Sequence, residues 1–464
     1  MTRIPYTPHP YQDLLTEHIF AHKRGNRFAG MGMGKTVSHL TAIDGMNLTD
    51  GTELTLVLAP KRVALSTWPR EAAKWSHLTN IEVQPIVGSR AQRLKALRAD
   101  ANVFTVNYDN LPWLIAEFDD KRWPFKRVLA DESRRLAGFR IKQGGVRSGA
   151  LARVAHQEVE VWSNITGTPA PNGLKDLWGQ QWFIDRGARL GKSFEAFKLR
   201  WYHRGYDGYG IVPADFAQEQ IQNEIRDCTI ALDPRDWFAL EEPIVRNIYV
   251  DLPPEARRKY REMERTMFTE IFAHGMPRGI EAVNAAAKTM KCLQIASGTV
   301  WADTKAKITA TVHEEKLDAL ESILSEAGGM PLLIAYQWVP SKEEILKRFP
   351  AFKFFDTAPE TEDAWNAGKI PGLVLHPQSG GHGLNLQFGS NIIVYYDQWW
   401  DLEQYDQVLQ RIGPVRQLQS GLNRNVWVYH LLARDTTDED VMVRRESKRE
   451  VQDILFEAMK RRSQ

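Results

Sequence analysis

At 464 residues the chain exceeds what one hydrophobic core ordinarily supports, so at least two domains are expected. With 60 Lys+Arg against 58 Asp+Glu the formal net charge is only +2, which excludes attraction to nucleic acid or membrane by overall charge and confines such contact to local patches. Two widely separated cysteines, Cys228 and Cys292, exclude a disulfide framework and a zinc site, and no run reaches the roughly 18 apolar residues of a membrane span.

The N-terminal stretch MTRIPYTPHPYQ has no apolar leader core, and with two reduced cysteines it points to a cytoplasmic protein. The first functional signal is RFAGMGMGKTVSHL, Arg27 to Leu40. Three glycines in five positions precede Gly34-Lys35-Thr36 and an apolar, helix-like segment. A phosphate loop needs backbone N–H groups around a polyphosphate, a Lys for the β- and γ-phosphates and a hydroxyl for magnesium, in that order. Ala29 stands where the usual pattern begins with Gly, and a structural turn is the alternative reading.

Strand-like runs follow at Leu54 to Pro60, Val103 to Tyr108, Arg127 to Glu132 and Val161 to Thr168, alternating with amphipathic segments, as in a parallel α/β layer. Trp68 and Trp75, spaced i, i+7, are expected in the core. RWYHRGYDGYGIVP, Arg200 to Pro213, reads as an exposed loop in which Trp201, Tyr202, Tyr206 and Tyr209 stack on bases or else pack locally. DLPPEARRKYREMERTMF starts with prolines suited to a first helical turn and continues as a charged, periodic helix. A second strand series then appears at Pro331 to Tyr336, Gly372 to Pro377, Asn391 to Asp397 and Val426 to Leu432. The expected organisation is two α/β domains, 1–235 and 236–464, with a helical insertion at about 251–310.

A nucleotide hydrolase also needs an acid at a neighbouring strand end to hold magnesium and a second acid for the attacking water. Asp131 and Glu132 in RVLADES stand where a strand's carboxyl end would open onto the phosphates, although Asp and Ser also serve as helix caps.

GMGMGKT, VLAPKRVALSTWPREAAKW, VNYDNL, LADESRRL and ITGTPAPN succeed one another as in the first motor lobe of superfamily 2 helicases, and the Pro60 to Trp75 run resembles the SWI/SNF-type DNA translocases in particular. KLDAL, LLIAYQW and HPQSGGHGLNLQFGSNIIVYYDQWWDLEQYDQVLQRIGPVRQ resemble the second lobe. The resemblance implies an α/β fold of two tandem RecA-like parallel-sheet lobes that uses ATP and Mg2+. It assigns Gln12 to the adenine, Gly32, Met33, Gly34, Lys35 and Thr36 to the phosphates, Thr36 and Asp131 to magnesium, and Glu132 to the attacking water. Thr166 and Thr168 correspond to the motif that couples hydrolysis to lobe movement, and Gly383 and Gln407 to nucleotide-binding positions of the second lobe. The arginine-finger motif is displaced: Arg411 and Arg416 flank IGPV, both are candidates, and Pro414 argues against a straight helix. Nucleic-acid contacts are implied at Lys61, Arg62, Ser66, Thr67, Tyr108, Ser379, Gly381 and Asn385.

These features describe a minimal, monomeric, ATP-dependent DNA translocase or helicase of a bacterial or phage-infected cytoplasm. It is expected to act on duplex or branched DNA without sequence preference, remodelling replication or recombination intermediates. A motor subunit of a restriction or defence-type complex, active only with partner chains, and a nucleotide-driven protein switch are the alternatives.

Overall fold

A computed structural model describes the backbone of residues 3–30, 32–141, 145–170, 173–204, 211–273, 279–303, 308–356, 358–380, 384–422 and 424–460. The chain divides into two compact units, Met1–Ala239 with Lys448–Gln464, and Leu240–Ser447.

The first unit is built on seven parallel strands in the order Val83–Ile86, Val103–Asn107, Thr55–Ala59, Arg127–Asp131, Val161–Thr166, Arg24–Ala29 and Thr229–Leu232. Its central strands are buried on both faces, so they read as continuous apolar runs instead of alternating ones. Side chains of alternate residues serve opposite cores. Leu56, Leu58, Val128 and Ala130 pack into one core, while Val57, Ala59 and Leu129 pack into the other.

The second unit repeats this logic with six parallel strands in the order Ile244–Val250, Trp427–Ala433, Ile392–Tyr395, Leu332–Ala335, Gly372–Leu375 and Lys353–Phe354. Leu333 and Ala335 face one core, Leu332 and Ile334 the other. The segment expected to be a helical insertion contains the helices Pro254–Ala273 and Gly279–Ala296 and then an antiparallel pair, Thr299–Asp303 with Ile308–Thr311. Among the described residues no helix is long and apolar enough to cross a membrane.

The strand that delivers the phosphate loop, Arg24–Ala29, has the sequence RGNRFA and would not be chosen on hydrophobicity. Its polar residues are nevertheless inside: Asn26 is 1% and Arg27 0% exposed. Arg27 is tolerated because its guanidinium donates to the carbonyls of Gly25 at 2.6 Å, Trp162 at 3.1 Å, His18 at 3.3 Å and also His22, the last two at the end of the helix Pro10–Ala21. The His18 carbonyl also accepts the His22 N–H at 3.1 Å, so the buried cation is met by a cluster of backbone acceptors at the helix end. Burial still lowers the Arg27 pKa to about 9.

The expected exposed loop is corrected at Trp201. This residue ends the helix Phe194–Trp201 and is 0% exposed, with Phe197 one turn away at 5.1 Å between ring centroids. Its indole N–H donates to the Gln220 side chain at 3.3 Å. The i, i+4 spacing puts both aromatics on the buried helical face, which the reading of a glycine-rich loop had overlooked. Tyr202 starts a short hairpin, Tyr202–Arg204 with Ile211–Pro213; Tyr206 and Tyr209 lie outside the described residues.

Candidate nucleotide site and motor residues

The strand Arg24–Ala29 runs through Gly30 to Gly34 into the helix Lys35–Asp50. Gly34 caps that helix with φ +67°, and Gly32 has φ +82°, both in the left-handed region that side chains disfavour. A Cβ on Gly34 would lie 2.0 Å from the Gln12 side-chain nitrogen. Glycine is therefore required twice at this position, by conformation and by space. Gln12 is held in place because its Oε1 accepts the His9 N–H at 2.9 Å and the Tyr6 hydroxyl at 3.2 Å. The proposed adenine reader and the phosphate loop thus stand in contact.

Lys35 folds back over its own loop, its Nζ donating to the carbonyls of Ala29 at 2.7 Å and Gly30 at 2.9 Å. Met33 is buried and Thr36 is half-buried at the helix start. Below them His39 joins the Lys35 carbonyl, at 2.7 Å, to the Ser163 hydroxyl, at 3.0 Å. Burial drives the His39 pKa down to about 3, so the imidazole is neutral and serves as a hydrogen-bonding strut.

Asp131 is the last residue of its strand, separated from Arg24–Ala29 by the single strand Val161–Thr166. Its carboxylate accepts the Trp68 indole N–H on Oδ2 at 3.0 Å and the Glu132 backbone N–H on Oδ1 at 3.1 Å. Desolvation and the neighbouring Glu132 raise its pKa to about 6, against the opposing pull of the Trp68 bond and the Lys35 charge. Glu132 has φ 57° and ψ 51°, a left-handed conformation rare outside glycine and asparagine that costs about 1–3 kcal/mol. Its carboxylate lies 3.5 Å from Arg134 Nε. In the next loop the Thr166 hydroxyl accepts the Thr168 N–H at 3.1 Å.

Phosphate loop, acidic turn and Thr166–Thr168 segment leave the same carboxyl edge of one parallel sheet, where α/β folds place their ligands. This donor set fits a magnesium-bound nucleotide. Among the described residues no group of three or more His, Cys, Asp or Glu side chains could hold a metal by itself, and magnesium typically takes one or two protein oxygens beside the phosphates. The Thr36 hydroxyl and the Asp131 carboxylate are oxygens of the kind such a site would use.

Sequence reasoning placed Trp68 in the core and missed its second role. It is 0% exposed and also holds the acid. The available signal was chemical: a buried indole N–H requires an acceptor. Tyr108 is 3% exposed and its hydroxyl donates to the Asp131 carbonyl at 2.8 Å, so its side chain braces the acidic strand end. Lys61 is exposed and Arg62 half-buried ahead of the π-helical turn Val63–Thr67, in which the Ser66 hydroxyl donates to the Arg62 carbonyl at 3.0 Å. Thr67 is half-buried in the same turn.

In the second unit, Gln407 is buried and its amide donates to Glu403. The helix Leu402–Leu409 stops, and Pro414 opens a new helix, Pro414–Gln419, which separates the two arginines as its ring geometry requires. Arg411 is 3% exposed and reaches the Leu384 carbonyl at 3.5 Å. Arg416 is half-exposed and its guanidinium contacts the side-chain oxygen of Asn385, bringing a finger candidate together with a nucleic-acid candidate. The Ser379 side chain, Gly381 and Gly383 lie outside the described residues.

The family model of the SNF2-related domain matches residues 28–208, the span that carries the phosphate loop, the acidic turn and the Thr166–Thr168 segment. Protein p41 of Acyrthosiphon pisum secondary endosymbiont phage 1 is 53% identical over 98% of this chain and 99% of its own length. The uncharacterized ATP-dependent helicase MG018 of Mycoplasma genitalium is 20% identical over 93% of this chain. Through residues 28–208 the chain is an SNF2-type ATPase. It spans 41% of the Mycoplasma helicase, so that protein's whole activity is not carried over. A solved Sulfolobus solfataricus SWI2/SNF2 ATPase core in complex with dsDNA aligns over 98% of this chain and 94% of its own, at 20% identity and a TM-score of 0.45. The chain is an ATP-hydrolysing enzyme of the SNF2 type, and each of its two units is built on a parallel α/β sheet.

Proposed function

We propose that this SNF2-type ATPase is a DNA-stimulated translocase that moves on duplex or branched DNA without reading sequence and remodels replication or recombination intermediates. The observation that supports the reading is the arrangement in the first unit: Gln12 against Gly34, Lys35 on the loop, and Asp131 held by Trp68 beside Glu132. Lys35 exchanges two loop carbonyls for the β- and γ-phosphates. Thr36 and Asp131 would hold Mg2+, which would neutralise phosphate charge. Glu132 orients the attacking water and accepts its proton. Arg416, with Arg411 behind it, supplies a fixed cation to the developing charge on the transferred phosphoryl group. Lys61, Arg62 and Asn385 grip the DNA backbone through contacts that carry no sequence information.

The test is displacement of a third strand from a triplex by the advancing protein, run beside ATP binding and hydrolysis. Wild type should displace it in an ATP-dependent manner. Lys35→Ala should neither hydrolyse nor displace, and Glu132→Gln should bind ATP normally while losing turnover by at least about 10²-fold, because an amide cannot accept the proton. Normal turnover in Glu132→Gln would contradict the assignment.

A further inference from the structure

The helix Lys175–Asp185 belongs to none of the sites expected from the sequence, yet it is built against two of the loops that face the nucleotide. At Gly179 it passes so close to the turn after Glu132 that a Cβ would lie 2.4 Å from the Leu136 carbonyl oxygen and 2.8 Å from that of Ala137. The next residue, Gln180, is 1% exposed and commits its whole amide at this junction. Its Oε1 accepts the Ser133 hydroxyl at 2.8 Å, and its Nε2 donates to the carbonyls of Pro169 at 2.6 Å and Asp176 at 3.0 Å. Ser133 directly follows Glu132, and Pro169 directly follows Thr168. The Gln180 backbone carbonyl accepts from Asn164 Nδ2 at 2.9 Å, and that nitrogen also reaches Asn26 Oδ1 at 2.8 Å on the strand leading to the phosphate loop.

We propose that Gln180 is a positioning residue that couples the Glu132 segment to the Thr166–Thr168 segment, so that a shift of one in response to nucleotide is delivered to the other. The inference rests on the DNA-motor reading above. A glutamine amide offers an acceptor and two donors in one rigid plane, which suits a three-way tie. Separating the two loops would leave buried partners unsatisfied, so they move together. Gly179 lets the helix come near enough for the tie to form.

The experiment measures steady-state ATPase of the full chain, with and without duplex DNA, for wild type, Gln180→Leu, Ser133→Ala and the double variant. KM for ATP should stay within about twofold, while the ratio of DNA-stimulated to basal kcat falls about tenfold in Gln180→Leu and about threefold in Ser133→Ala. The double variant should be no worse than Gln180→Leu, because both changes break one link. Equal losses in basal and stimulated turnover, losses that multiply in the double variant, or an unchanged ratio in Ser133→Ala would each overturn the proposal. Should Gln180→Leu not fold, Ser133→Ala, which removes a single hydroxyl, decides by its ratio. A wild type that ignores DNA overturns the motor reading and this inference with it; a stimulated wild type whose variants keep the ratio overturns this inference alone.

Discussion

Asp131 concentrates the electrostatics of the site in one carboxyl group whose pKa is pushed up to about 6. Above that pH it is ionised and able to hold a cation; below it the group is neutral, so affinity for Mg2+, and with it ATP turnover at subsaturating Mg2+, should fall along an acid limb near pH 6 that saturating Mg2+ moves to lower pH. The Trp68 hydrogen bond favours the ionised form. Trp68→Phe keeps an aromatic ring but removes the donor, so the limb should move to higher pH while turnover at pH 8 changes less; an unmoved limb in the pH–rate profile would contradict the role given to Trp68. Among single residues, Lys35, Thr36, Asp131 and Glu132 stand out in the sequence because the chemistry of phosphate and magnesium dictates such types in such an order, and the fold brings their segments to one sheet edge. Tyr108 and Gln180 do not stand out, because a buried hydroxyl or amide acquires its role only from the partner that folding brings to it.

At the scale of elements, the strands Thr55–Ala59 and Leu332–Ala335 could be read from uninterrupted apolar runs, since both faces are covered. Arg24–Ala29 could not, because Asn26 and Arg27 are stabilised by distant carbonyls and side chains instead of by apolar packing. Val83–Ile86 is short, lies at the sheet edge and contains Pro85. The error at Trp201 was of another kind, a helical face read as a loop. Trp201→Ala should therefore destabilise the first unit by about 3–5 kcal/mol in urea unfolding, the usual cost of emptying a buried aromatic site. An equally stable variant with a selective loss of strand separation would restore the wedge reading. The break at Pro414 also has a consequence, because it places Arg416 in a helix of its own near the surface and leaves Arg411 inside. Arg416→Ala should lower kcat by about 10³-fold with ATP affinity nearly unchanged, as measured by single-turnover hydrolysis and equilibrium nucleotide binding. Normal hydrolysis in that variant would remove Arg416 from the mechanism.

For the whole molecule, the near balance of 60 basic and 58 acidic residues means that the proposed grip on DNA falls to a few local contacts, not to a broad field. Backbone-directed contacts lose affinity steeply as salt rises, and they make one sequence as good as another. Lys61→Ala with Arg62→Ala should weaken stimulation by DNA more than basal hydrolysis, because both follow the strand beside the acidic turn and neither belongs to the phosphate loop. The two-unit organisation was legible from the two strand series separated by the charged helix, whereas the antiparallel pair Thr299–Asp303 with Ile308–Thr311 was not, since its short polar strands gain their partner only in the fold. The central claim is that hydrolysis in this ATPase is harnessed to DNA. The most direct measurement is the steady-state ATPase rate of the purified chain with single-stranded, duplex, forked and four-way DNA of unrelated sequences, at low and raised salt. Every duplex-containing DNA should raise kcat irrespective of sequence, with stimulation declining as salt rises; a rate indifferent to all of them at low salt would contradict the account.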